Sequence, residues 1–157
     1  MTIDTAVKFT VKRLGEEDRP FLEEMYEQFA PHGVALGLPP VDPERRKVWL
    51  AELSRGMNFG AFAGDLLAGH LALLPTGDRA ELVCFVHQDY RRRGIAWALA
   101  EAAVEAARPA GIKSIWVLVD NMNFAARRGL TKFGFRLTWE DQREAEFVYD
   151  LPEKNGA

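Results

Sequence analysis

The sequence predicts a single α/β domain over residues 1–157, with an ordered core of about residues 7–151. Three observations carry that prediction. Short apolar runs alternate with polar residues at the period of a half-buried strand, as in Val7, Phe9, Val11 and in Ile115, Val117, Val119. An apolar run, Leu82 to Val86, is followed by a basic loop, an Ala-rich helical segment from Trp97 to Ala107 and the 115–119 strand, which together make one strand, helix, strand unit. A chain of 157 residues, 48% hydrophobic and 27% charged, has the size and composition to bury one core without disulfides or metals.

The elements follow in order. Val7 to Val11 reads as the first strand. Asp18 before Pro20 is placed to cap a helix whose Phe21, Leu22, Met25, Tyr26 and Phe29 share one side, and Pro31-His32-Gly33 stops it. Residues 31–41 mix Gly, Pro and apolar side chains, the composition of an acceptor-binding loop or lid. Asp42-Pro43-Glu44 then opens a second helix carrying Val48, Trp49 and Leu53. Met57 to Ala63 and Leu66 to Leu74 form a hairpin around Gly64-Asp65, Pro75 to Arg79 turns, and Ala80 to His87 is the next strand. The helix beyond the basic loop offers Ile95, Leu99, Ala102, Ala103 and Ala106 to the core and ends at Pro109-Ala110-Gly111. After the 115–119 strand, Asn123 caps a helix through Phe133, and Phe135 to Trp139 and Glu146 to Leu151 are two closing strands. The tail from Pro152 is expected to fray.

Composition excludes several classes. A formal net charge of -3 gives no support to nucleic-acid binding. The single cysteine, Cys84, rules out an intramolecular disulfide, and three scattered histidines make no metal signature, so no metal is expected. No run reaches membrane-spanning length and Met1 to Val7 lacks the order of a signal peptide, so a cytoplasmic protein without a membrane partner is expected. Exposed strand edges admit a homodimer.

The most telling segment is Tyr90-Arg91-Arg92-Arg93-Gly94-Ile95-Ala96. A basic run beside a glycine is by itself a solvated turn. Here it joins a strand to a helix, where the first amides lack helical acceptors and the peptide dipoles leave partial positive charge. A phosphate is stabilised at such a point, Gly94 permits close approach, and the three guanidiniums can grip its oxygens. No Gly-Lys-Ser/Thr and no Gly-x-Gly-x-x-Gly is present, which argues against nucleoside triphosphates and dinucleotides.

The pattern Arg91-x-x-Gly94-x-Ala96 resembles the acyl-CoA binding motif of the Gcn5-related N-acetyltransferase (GNAT) family. Asn123-Phe124-Ala125-Ala126 and Lys132-Phe133-Gly134-Phe135 are similar to its later signature, so the resemblance spans about residues 66–135. It implies a mixed central sheet with splayed parallel strands flanked by helices, and acetyl-CoA as co-substrate with an amine as acceptor. It implies further that the pantetheine arm enters the cleft beside the backbone of Phe85 and Val86. The pyrophosphate would then meet Arg91, Arg92, Arg93, Gly94, Ile95 and Ala96, with Asn123 and Ala126 also at the cofactor. Asn123 can bond the pantetheine arm, cap its helix, or do both.

Direct transfer from a thioester to an amine needs positioning, a proton acceptor and a donor for the carbonyl oxygen. Glu81 is the candidate base, against the alternative of a solvated strand charge, and an N–H near Val86 the candidate carbonyl donor. Leu130 stands where the family often has a Tyr that protonates the departing thiolate, so Tyr149 and Tyr90 are the remaining phenols, and solvent is a sufficient proton source. Cys84 reads as packing, and His70 and His87 as ambiguous. The expected activity is N-acetyl transfer to a primary amine of a small molecule or peptide. The alternative is an acyl-CoA-binding sensor or interaction module without turnover.

Overall fold

The computed structural model describes residues 8–31 and 38–152. Val7, residues 32–37 of the expected acceptor loop and the tail from residue 153 lie outside the described residues. The elements are β1 (Thr10–Arg13), α1 (Arg19–Gln28), α2 (Pro43–Leu53), β2 (Met57–Ala63), β3 (Leu66–Thr76), β4 (Arg79–Val86), α3 (Ile95–Ala107), β5 (Ser114–Asp120), α4 (Phe124–Phe133), β6 (Arg136–Glu140) and β7 (Glu144–Asp150). All seven strands join one sheet in the order β1-β2-β3-β4-β5-β7-β6, antiparallel except for the β4–β5 pair. The fold is the mixed α/β sheet flanked by helices that the sequence predicts.

Alternation sorts each strand between two apolar layers. Leu71 and Leu73 of β3, Ala80 and Leu82 of β4, and Ile115 and Val117 of β5 join Ile95, Leu99 and Ala103 of α3 in the larger core. On the opposite face Leu22, Met25 and Tyr26 of α1 and Leu50 of α2 pack with Leu14, Phe29 and Leu67.

Three local expectations are corrected. Asp18 stands at the α1 N-cap position but makes no cap bond; its carboxylate accepts from the Gly15 amide (2.9 Å) and pairs with Lys12 (3.1 Å). The Gly15 hydrogen bond, helped by Lys12, lowers its pKa against the opposing effect of burial. In α2 the buried residues are Leu50 and Leu53, while Val48 is 61% exposed. The helix meets the sheet one step further round than a Val48-centred face would. Finally, β3 runs through Pro75 to Thr76. β2 ends opposite Leu73, so the amide that proline lacks has no ladder partner to lose.

His70 on β3 is buried, 1% exposed. Asn58 Nδ2 donates to the carbonyls of Leu53 (2.9 Å) and Gly56 (3.2 Å), which leaves Asn58 Oδ1 to accept from His70 Nε2 at 2.7 Å. His70 Nδ1 therefore accepts from the Tyr26 hydroxyl at 2.6 Å. The ring is neutral with both nitrogens used, and burial lowers its pKa to about 3. The unfolded chain binds a proton at this histidine below pH ~6.5 and the folded chain does not, so stability is unaffected above that pH and declines beneath it. We expect up to about 1.4 kcal/mol lost per pH unit on acidification below pH ~6.5. Denaturant midpoints between pH 7.5 and 5 measure this, and His70→Gln should flatten the slope whatever it does to stability at pH 7.5.

Gly69 sets the depth of α3 on the sheet. A Cβ there would stand 2.6 Å from Ile95 Cγ2 and 3.2 Å from Leu99 Cδ1. Gly69→Val must push the first turn of α3 outward, at a cost of about 2–3 kcal/mol. For a chain of this size that lowers the melting temperature by roughly 5–10 °C. An unchanged melting temperature would show that the helix seats elsewhere.

Candidate active site

β4 and β5 are paired only at Arg79–Ser114, Ala80–Ile115 and Glu81–Trp116. Beyond these pairs each strand stays with its antiparallel neighbour: β4 follows β3 to Val86, and β5 follows β7 to Asp120. The sheet therefore forks, with Glu81 and Trp116 at the apex.

Hydrogen-bond alternation decides which backbone groups enter the fork. The His87 amide bonds the Ala68 carbonyl, so Phe85 and Val83 turn their amides and carbonyls toward β3. Leu82, Cys84 and Val86 turn theirs toward β5. On the other arm the Asn121 amide bonds the Arg143 carbonyl, which directs Val119 and Val117 toward β7 and leaves the backbone of Leu118 and Asp120 facing the fork. A guest strand thus meets Cys84 and Val86. The backbone of Phe85 is already committed, which corrects the expectation for that residue.

At the open end of β4 the chain makes a 3-10 turn, Gln88–Tyr90, and enters the basic loop. Arg92 (φ 63°) and Gly94 (φ 81°) are both left-handed, and Gly94 caps α3. The first helical bond runs from the Ala98 amide to the Gly94 carbonyl, so the amides of Gly94, Ile95, Ala96 and Trp97 have no acceptor within the helix. A Cβ built on Gly94 meets nothing within 4 Å, so space lies open over these donors. Four unused amides at a positive helix end, with Arg92 and Arg93 in the loop, fit a diphosphate.

Arg91 takes another part. Its Nε donates to the Val86 carbonyl (3.1 Å), one terminal nitrogen donates to the Ala30 carbonyl (2.8 Å), and its guanidinium lies 5.3 Å from the Phe29 ring centre. Gln88 adds two bonds to the same segment, accepting from the Ala30 amide (3.0 Å) and donating to the Gln28 carbonyl (2.9 Å). Arg91 thus fastens the end of α1 to the loop, with the Val86 carbonyl engaged and its amide left toward the fork.

The sequence matches the acetyltransferase (GNAT) family over residues 20–135, a span that includes both arms of the fork and the loop. The chain belongs to that family. A search of curated proteins by sequence finds no match. Solved structures share the fold at low identity. The GNAT acetyltransferase of Streptococcus pneumoniae superposes with a TM-score of 0.77 at 16% identity, covering 92% of this chain and 100% of that one. The yncA protein of Salmonella typhimurium, solved with its cofactor acetyl-CoA, gives 0.74 at 17% identity over 94% and 96%. The ribosomal-protein-S18-alanine N-acetyltransferase of Escherichia coli gives 0.72 at 20% over 94% and 98%.

Within this GNAT fold Glu81 is half-buried at the apex, and burial raises its carboxyl pKa above the usual glutamate value. Register puts Tyr149 beside Ile115, on the α3 and α4 side of the sheet, whereas Glu81 and Trp116 face the other way. The Tyr149 ring packs against Phe133 (5.4 Å) and Phe135 (5.3 Å). Glu81 and Tyr149 are therefore not brought together on one face. Leu130 and Tyr90 pack against the larger core, as does Cys84, whose thiol burial pushes up to about 12. Asn123 caps α4, accepting from the Ala126 amide at 3.1 Å, so the Ala126 N–H is spent within the helix cap. His87 is 3% exposed; its Nδ1 accepts from the Asp89 amide and its Nε2 has no partner among the described residues. Among the described residues no group of three His, Cys, Asp or Glu side chains is placed to hold a metal, and no helix is long and apolar enough to cross a membrane.

Proposed function

We propose that this chain transfers the acetyl group of acetyl-CoA to a primary amine. The observation that carries the reading is the alignment along β4: a forked strand end whose Cys84 backbone and Val86 amide face the gap leads, through the Gln88–Tyr90 turn and the basic loop, to a helix start whose first four amides have no helical acceptor. One extended molecule bearing amides and a diphosphate matches both. Gly94, Ile95, Ala96 and Trp97 hold the diphosphate through their N–H groups, with Arg92 and Arg93 adding charge. The Val86 N–H, nearest the loop, pairs with the pantetheine arm. Asn123, which caps α4 through Oδ1, offers its amide nitrogen to the same arm.

The thioester supplies an acyl group already activated for attack. The Cys84 N–H, deeper in the fork, donates to its carbonyl oxygen, and Glu81 accepts, through water, the proton that the amine gives up as nitrogen bonds to the acyl carbon. The carbon–sulfur bond breaks, and water returns a proton to the thiolate, so that one ammonium and one thioester yield one amide, one thiol and one proton. Tyr149, enclosed by phenylalanines on the far face, is given no step.

Purified protein with acetyl-CoA and a panel of amines and peptides should release free thiol only when an accepted amine is present. Saturable acetyl-CoA binding with no release from any acceptor would instead select the sensor reading.

A further inference from the structure

The fork opens on the sheet face that carries α1 and α2, whose aromatic cluster reaches Phe85 of β4, and the side chains beyond it restrict what an acceptor can be. Register places Trp116 next to Glu81, and Glu146 between Leu118 and Trp139. Partners in register share a face. The bulge at Thr138 brings Trp139 there, while Leu137 stays opposite Phe147 on the α4 side. Leu118 is 39% and Trp139 48% exposed, so large apolar side chains stand in water on the same face as the proposed transfer point. Such clustering marks a contact surface.

Carboxylates outnumber cations on this face of β4–β7: the Arg136–Asp150 pair aside, Arg79 keeps its charge and stands against Glu81, Asp120, Glu144 and Glu146. Arg79 stacks over Trp116 at 6.0 Å and Arg136 pairs with Asp150 at 3.0 Å. Glu81, Glu144 and Glu146 have no ion-pair partner among the described residues. Glu146 accepts the Thr138 hydroxyl (2.7 Å), and Glu144 Oε2 is buried without a hydrogen-bond partner among the described residues. A buried carboxylate oxygen left unpaired favours a donor arriving from outside.

We propose that the acceptor is a primary amine on an apolar, aromatic-sized body that carries no anionic group; this rests on the acetyl-transfer reading above. The carboxylates attract the ammonium, Trp116, Leu118 and Trp139 cover the body, and an acceptor carboxylate is repelled by Glu144 and Glu146.

Three acceptors separate these features: phenethylamine, phenylalanine (the same body with a carboxylate) and ethylamine (the amine without the body). With the full chain and acetyl-CoA, kcat/KM for phenethylamine should exceed both others at least tenfold. Glu146→Gln should narrow the phenethylamine to phenylalanine ratio at least threefold. Trp139→Ala, at an exposed position on an edge strand, should lower kcat/KM for phenethylamine about tenfold through KM. Equal or faster turnover of phenylalanine or ethylamine, or ratios indifferent to both substitutions, overturns the proposal. Acetylation of a lysine peptide with none of phenethylamine overturns this inference and leaves the transferase reading standing. Failure to bind acetyl-CoA in a calorimetric titration removes both.

Discussion

Glu81→Gln should lower kcat by about 10²–10⁴-fold with acetyl-CoA affinity retained, the range associated with loss of a positioned general base. The substitution keeps the size and shape of the side chain at the fork, exchanges one acceptor oxygen for an NH2 donor, and removes the charge and the ability to take a proton. The pH profile makes the test specific. A base works ionised, so kcat/KM, referred to the concentration of unprotonated amine, is full above its pKa and falls tenfold per unit below it. Burial raises the Glu81 pKa, which places this acid limb above the ordinary glutamate value. The limb should vanish in Glu81→Gln. A variant with near wild-type kcat, or one that keeps the limb, would show that the proton leaves by another route.

Gly94→Asp should weaken acetyl-CoA binding at least a hundredfold, about 2.7 kcal/mol. Two effects combine. A φ of 81° costs a non-glycine residue about 1–2 kcal/mol. The new carboxylate also occupies the α3 N-cap, where it takes the amides meant for the diphosphate and repels its charge. Because a Cβ at this position meets open space, the fold should survive, and a melting temperature within a few degrees of wild type is the control. Gly94→Ala isolates the backbone cost and should lose no more than about tenfold, since 1.4 kcal/mol is a factor of ten. Equal affinities in Asp and wild type, measured by calorimetry, would displace the diphosphate from this helix end.

Local pattern made most of this fold legible. The alternation in Ile115, Val117 and Val119, the Asp42-Pro43 and Asn123 caps and the strand, loop, helix order around Gly94 are all written within about ten residues, and each lies where it was expected. What escaped depends on partners distant in sequence or on the phase of an element. The role of Arg91 is set by the Ala30 carbonyl, 61 residues away, and that of His70 by Tyr26, 44 residues away. Whether Phe85 or Cys84 lends its backbone to the fork turns on the hydrogen-bonding phase of the β3–β4 ladder, which composition does not encode. Val48 is exposed and Leu50 is buried in its place because the buried arc of a short helix depends on the surface it meets. Trp139 faces the fork side only because of the one-residue bulge at Thr138.

The bonds from Gln88 and Arg91 to Gln28 and Ala30 join two segments with different duties: the turn leading to the phosphate cradle and the helix terminus beneath the aromatic cluster of Tyr26, Trp49 and Phe85. Neither can shift alone without breaking several of these bonds at once. The basic loop and the end of α1 therefore behave mechanically as one body, and a disturbance applied at either is felt at the other without passing through the sheet.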